Sequence, residues 1–191
     1  NNPDIDKNTS PVLCLGPCEA SVGEMASAYT TFANGGIRCA PLFVTKIEDS
    51  HGNVIAKFQP LMTEVISEVS SYQMIDMLRA VIQGGTGSRL RYAYHLTADM
   101  GGKTGTTNNN ADGWFMGITP NLVSGCWVGG EDRDIHFDHT SMGQGATMAL
   151  PIWAYYMQRV YADKRLGYSQ STKFTMPAKF NPCQTADTIN V

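Results

Sequence analysis

Gly113-Trp114-Phe115-Met116-Gly117-Ile118-Thr119-Pro120-Asn121-Leu122-Val123-Ser124-Gly125-Cys126-Trp127-Val128-Gly129 decides the fold. Two runs rich in aromatic and β-branched residues, 113–119 and 122–129, flank Pro120-Asn121. That is the pattern of two strands joined by a tight turn. Upstream, Ala98 to Thr104 reads as a third strand. Strands joined by links this short must be antiparallel neighbours.

Working outward, helices flank the strands. Ser21 and Glu24 form a capping-box pattern, and Val22, Met25, Ala26, Tyr29, Phe32 and Ala33 follow at helical spacing until Asn34-Gly35-Gly36. A hairpin is expected from Phe43–Glu48 and Val54–Phe58 around the turn Asp49–Asn53. A second helix is expected over Ser71–Gln83, capped by Ser70 with Gln73 and buried through Ile75, Leu78, Val81 and Ile82. A last helix is expected to start near Pro151, a residue suited to a first helical turn. The tail after Leu166 shows little periodicity, and the Pro-rich first twenty residues read as irregular. Strands bracketed by helices argue an α+β fold, an antiparallel sheet flanked by helices.

Composition narrows the function classes. With 191 residues, 42% hydrophobic and 16% charged, the chain can build one packed core. A net charge of −3 gives no electrostatic case for nucleic acid. No apolar run reaches the length of a membrane span, and no signal-peptide pattern opens the chain. Five cysteines are an odd number; a disulfide or half a metal site is conceivable where Cys14 and Cys18 flank Leu-Gly-Pro, but there is no CxxC pair, and His136-Phe137-Asp138-His139 holds the only close His pair. The cysteines read as packing residues, and neither a metal nor a cofactor is expected.

The chemistry concentrates in Met100-Gly101-Gly102-Lys103-Thr104-Gly105-Thr106-Thr107. A cation, three hydroxyls and three glycines there suit a strand edge that grips an anion while another backbone lies close. A phosphate loop of the form G-x-x-x-x-G-K-[ST] is excluded, because its first glycine would fall on Thr97. The remaining reading is the K-T-G element of penicillin-interacting enzymes.

The surroundings of that element resemble the transpeptidase domain of class A penicillin-binding proteins, the bifunctional peptidoglycan synthases. The resemblance is carried by EMASAYTTFANGG at 24–36, GGTGSRLR at 84–91, KTGTT at 103–107, DGWFMGITPNL at 112–122, CWVG at 126–129 and GATMALPIW at 145–153. It covers nearly all of residues 12–160, with 161–191 as a tail. It implies an incomplete penicillin-binding/β-lactamase-like transpeptidase fold, the whole chain 1–191 being the C-terminal portion of one domain. It also implies a substrate ending in D-Ala-D-Ala, or a β-lactam that mimics it. Lys103 would set a positive field beside the substrate carboxylate, and the Thr104 and Thr106 hydroxyls would donate to it. Gly105 would let the substrate backbone lie along the edge, Thr107 would complete the binding stretch, and the Thr106 backbone N–H would be an oxyanion donor.

The nucleophile that such chemistry needs is not found. No serine is followed by Lys three places on, and none by Asn two places on. The S-x-x-K and S-x-N motifs of the family are therefore expected outside these residues, and the chain alone is expected to do no acylation. The resemblance implies a parent anchored in the cytoplasmic membrane, with this domain on the periplasmic or extracytoplasmic face. It also implies that the Leu122–Gly129 strand loses a neighbour, so self-association through that edge is expected. The alternative is a non-catalytic module that keeps the peptide groove. The charged loop Glu131–His139 reads as solvated.

Overall fold

The structure, a computed structural model, describes residues 19–181, so the expectations for the first eighteen residues, and Cys14, Cys18 and Cys183, lie outside the described residues. Three strands form the central antiparallel sheet: β5 (Gly101–Thr106), β6 (Asp112–Thr119) and β7 (Leu122–Gly129), in the order β5-β6-β7. The fold is α+β, as the sequence implies. Ahead of the sheet come α1 (Val22–Ala33), β1 (Ile37–Cys39), β2 (Lys46–Glu48), β3 (Val54–Lys57), β4 (Met62–Glu64), α2 (Glu68–Gln83) and α3 (Arg89–Tyr92). After it come α4 (Thr140–Gly143) and α5 (Gly145–Ala162).

Strand alternation divides the sheet into two faces. Phe115 on β6 meets Trp153 of α5, ring centroids 5.0 Å apart, and Trp153 donates from Nε1 to Ser124 Oγ at 2.7 Å. With Ile82, Leu90, Leu96, Met100 and Leu150 these residues make the main core. Ile118 points to the opposite face, where it packs with Ile75 and Leu78 of α2. Each such side chain, fully buried, contributes roughly 1.5–3 kcal/mol.

Several boundaries differ from the sequence reading, for local reasons. The cap of α2 is Ser67, whose Oγ accepts from Ser70 N at 3.1 Å, so the helix starts before Ser70 and Gln73 can act as its box. The α5 helix begins at Gly145 and carries Pro151 inside it, not at its first turn. The apolar positions assigned to α1 are only half-buried, and its buried residues are Ser27 and Thr31. There, hydroxyls answer backbone carbonyls: Ser27 Oγ donates to Cys39 O at 2.9 Å and Ser71 Oγ to Phe32 O at 2.8 Å. The short pair β1–β4, unforeseen, brackets the expected β2–β3 hairpin.

The segment after α5 is not a loose tail. Gln170 Oε1 accepts from the Thr97 and Ala98 amides at 2.7 and 3.2 Å. Phe174 is buried, and its amide donates to Asp99 Oδ2 at 3.0 Å. Asp99 also takes two hydrogen bonds from Arg79 of α2, from Nε at 2.8 Å and from Nη2 at 2.5 Å. The guanidinium lies 5.3 Å from the Tyr72 ring and 5.2 Å from the Phe174 ring. The chain entering β5 is thereby pinned to α2 two residues before Gly101.

Candidate active site

β5 is an edge strand among the described residues, pairing only with β6. Its register runs from Gly101↔Ile118 to Thr106↔Gly113. Thr107 continues it, donating its amide to Asp112 O at 3.2 Å. In an antiparallel ladder, alternate residues direct their N–H and C=O groups toward the partner. Thr107, Gly105 and Lys103 therefore face β6 with their backbone. Gly102, Thr104 and Thr106 turn theirs to the open edge, where the Thr104 carbonyl accepts from Lys103 Nζ at 2.8 Å.

The side chains alternate as well, and this separates groups that the sequence reading put together. Thr104 and Thr106 point to the α5 face, and Lys103 and Gly105 to the α1/α2 face, where Lys103 lies opposite Met116. Lys103 is exposed. The hydroxyls are held individually. Thr104 Oγ1 lies 2.7 Å from Thr86 Oγ1, and Thr106 Oγ1 accepts from Gly145 N at 3.1 Å. Because the Thr106 hydroxyl is an acceptor there, its own hydrogen remains free to point outward.

Gly105 is constrained from within the sheet: a Cβ there would stand 3.0 Å from Trp114 Cβ. Thr107 has a different job from the other hydroxyls. Its Oγ1 takes the Asp112 amide at 3.1 Å and so closes the turn over Asn108–Asn110. Asn110 in that turn exchanges two hydrogen bonds with Phe137: its carbonyl accepts from Phe137 N at 3.4 Å and its Nδ2 donates to Phe137 O at 3.1 Å. The Glu131–His139 loop is exposed throughout, yet this pair ties it to the end of the candidate site.

Three contributors escaped the sequence reading. Thr86 comes from the Gly-rich stretch after α2, Gly145 from the start of α5, and Phe137 from the charged loop. The quoted GGTGSRLR and GATMALPIW stretches marked the first two as notable without placing them beside Lys103–Thr107.

β5 thus presents an open edge bearing a lysine, two clamped hydroxyls and an outward-facing amide, backed by helices on both faces. The chain belongs to the penicillin-binding protein transpeptidase domain family, whose model matches residues 6–124. Within that family the likeness is to the class A proteins. The chain is 39% identical over 148 residues to penicillin-binding protein 1A of Aquifex aeolicus, covering 78% of this chain and 20% of the relative. It superposes on penicillin-binding protein 1A of Haemophilus influenzae with a TM-score of 0.71 at 27% identity, covering 82% of this chain and 28% of that one. It superposes on PonA1 of Mycobacterium tuberculosis, solved in complex with penicillin V, with a TM-score of 0.70 at 25% identity, covering 92% and 46%. The chain thus spans about a fifth of the length of the curated relative. Among the described residues, no helix is long and apolar enough to cross a membrane.

Proposed function

We propose that the chain supplies the carboxylate- and oxyanion-binding wall of a serine D,D-transpeptidase that cross-links peptidoglycan stem peptides and binds β-lactams. It forms the C-terminal portion of one transpeptidase domain, residues 1–191. The observation that carries the reading is the orientation of β5. Its open edge presents the Thr106 N–H, the donor an oxyanion needs, beside the two clamped hydroxyls. A single donor of this kind stabilises a transition state by roughly 2.7–4 kcal/mol.

The roles divide by face. Thr104 and Thr106 donate to the carboxylate of a D-Ala-D-Ala end or a β-lactam. Lys103, across the strand, adds a positive field and holds the Thr104 carbonyl. Gly105 keeps the edge flat against Trp114, and Thr107 fixes the turn that ends it. The serine and its activating lysine come from an S-x-x-K outside these residues, so the isolated chain forms no acyl-enzyme. Incubation with penicillin V followed by intact-mass measurement tests this: the mass stays unchanged, and a stoichiometric penicilloyl adduct would overturn it. A parent with this domain on the extracytoplasmic face of a membrane, to which it is anchored, fits the same reading.

The isolated chain also self-associates through β7. That strand pairs only with β6 among the described residues and carries neither proline nor charge, the usual guards of a sheet edge. Light scattering reads this as a mass that rises with concentration, and a constant monomer mass would refute it.

A further inference from the structure

Arg89 stands out among the arginines. Arg79 makes three hydrogen bonds, two to Asp99 and one to Tyr72. Arg91 donates to the Leu96 and Ala98 carbonyls, both at 2.7 Å. Arg89 is half-buried, yet among the described residues its guanidinium makes one hydrogen bond, to Ala146 O at 3.4 Å, the outer limit of such a bond. No carboxylate lies within ion-pair distance of it among the described residues. A guanidinium has five N–H donors, so most of its capacity is unused.

Its position gives that capacity a use. Ala146 follows Gly145, the residue whose amide binds Thr106 Oγ1. Thr86, three residues before Arg89, holds Thr104 Oγ1. Arg89 therefore sits on the same face of β5 as both hydroxyls, between the segments that clamp them. Gln144, the N-cap of the 18-residue α5, offers no side-chain cap, and the first helical amide is answered instead by Thr106 Oγ1, so the positive end of the helix faces the same hydroxyl. On this face the Thr106 hydroxyl hydrogen and all but one of the Arg89 N–H donors have no acceptor among the described residues.

We infer that Arg89 is the second cation of the site and contacts the substrate carboxylate directly, with Thr86 fixing the rotamer of the Thr104 hydroxyl. A planar fork matches a carboxylate in a way that a lysine point charge does not. Arg89 and Lys103 then address the anion from the two faces of β5. The ligand class is a peptide ending in a free D-amino-acid carboxylate. This rests on the carboxylate reading of β5 given above.

The test is a titration of the isotope-labelled chain, followed by amide chemical shifts, with acetyl-D-alanyl-D-alanine and with its C-terminal carboxamide. The acid shifts the Thr104 and Thr106 amides and binds about tenfold more tightly than the carboxamide, the effect of one charge-assisted contact. Arg89→Gln weakens the acid about tenfold and leaves the carboxamide unchanged, and Arg89→Lys falls between. If Arg89→Gln binds the acid as wild type does, the role of Arg89 is overturned while the reading of β5 stands. Equal weakening of both ligands would also overturn it, because a fold effect does not discriminate. If wild type does not prefer the acid, the carboxylate reading fails and the Arg89 assignment fails with it.

Discussion

Replacing Gly145 with alanine should loosen the site and the fold together. A Cβ at Gly145 would stand 2.3 Å from both Gly105 O and Trp114 O, and 3.0 Å from Trp114 N. All three are backbone atoms of a paired ladder, so α5 must retreat, by about 1 Å to restore ordinary contact. That retreat breaks the 3.1 Å bond from Gly145 N to Thr106 Oγ1. It also opens a gap under Leu150 and Trp153, and a gap of 0.5–1 Å forfeits roughly a quarter to a half of each contact's attraction. Overpacking costs about 1–3 kcal/mol and the lost hydrogen bond about 0.5–1.5, while the better helix propensity of alanine returns up to about 1. The net is a loss of roughly 2–3 kcal/mol, or about 4–12 °C in Tm for a chain of this size. Circular dichroism melts and urea titration would measure it. Gly84→Ala is the control, since nothing lies within 4 Å of its Cβ and its φ is −146°. The reasoning is refuted if Gly145→Ala melts within 2 °C of wild type, or no lower than the control.

Other expectations follow from particular groups. Burial pushes the Asp99 carboxyl up, but the Arg79 hydrogen bonds, the Phe174 amide and the Arg79 charge outweigh it and hold the group below its ordinary value. The stability this contributes is complete above the unfolded value, about 3.9, and is lost as pH falls through the lower folded value. Urea titrations below pH 4 should therefore show wild type losing stability that Asp99→Asn does not. Arg79→Met leaves that carboxylate with the Phe174 amide alone and should cost roughly 3 kcal/mol at pH 7, read as a lower urea midpoint. Burial raises the Cys126 thiol, so its alkylation at pH 8, followed by mass spectrometry, should be slower in the folded chain than in urea.

The legible parts of the fold share one property: their signals are local. β7 is legible to the residue because alternation and Pro120-Asn121 leave no competing register. The start of β5 is not, because Ala98–Met100 is apolar like a strand. The Arg91 and Gln170 side chains take its backbone groups instead, and pairing begins at Gly101. The cap of α2 is ambiguous in the sequence because serines at 67, 70 and 71 offer several starts. Pro151 misled because a proline inside a helix removes one hydrogen bond, a loss that the burial of Leu150, Trp153 and Ala154 around it outweighs. At the site, the Lys103–Thr107 stretch was legible as a unit. The division of its side chains between two faces follows from the pleat. Thr86, Arg89, Gly145 and Phe137 arrive from elsewhere in the chain, and only tertiary contact reveals them.

The most direct test of the proposed site wall pairs it with a nucleophile-bearing segment. This chain is joined in frame to the upstream transpeptidase segment of a class A relative carrying S-x-x-K, exposed to fluorescent penicillin, and resolved on a denaturing gel. The account predicts covalent label on the joined protein, loss of most of it with Lys103→Met, and none on the chain alone. Labelling of the Lys103→Met protein at the wild-type rate would contradict it.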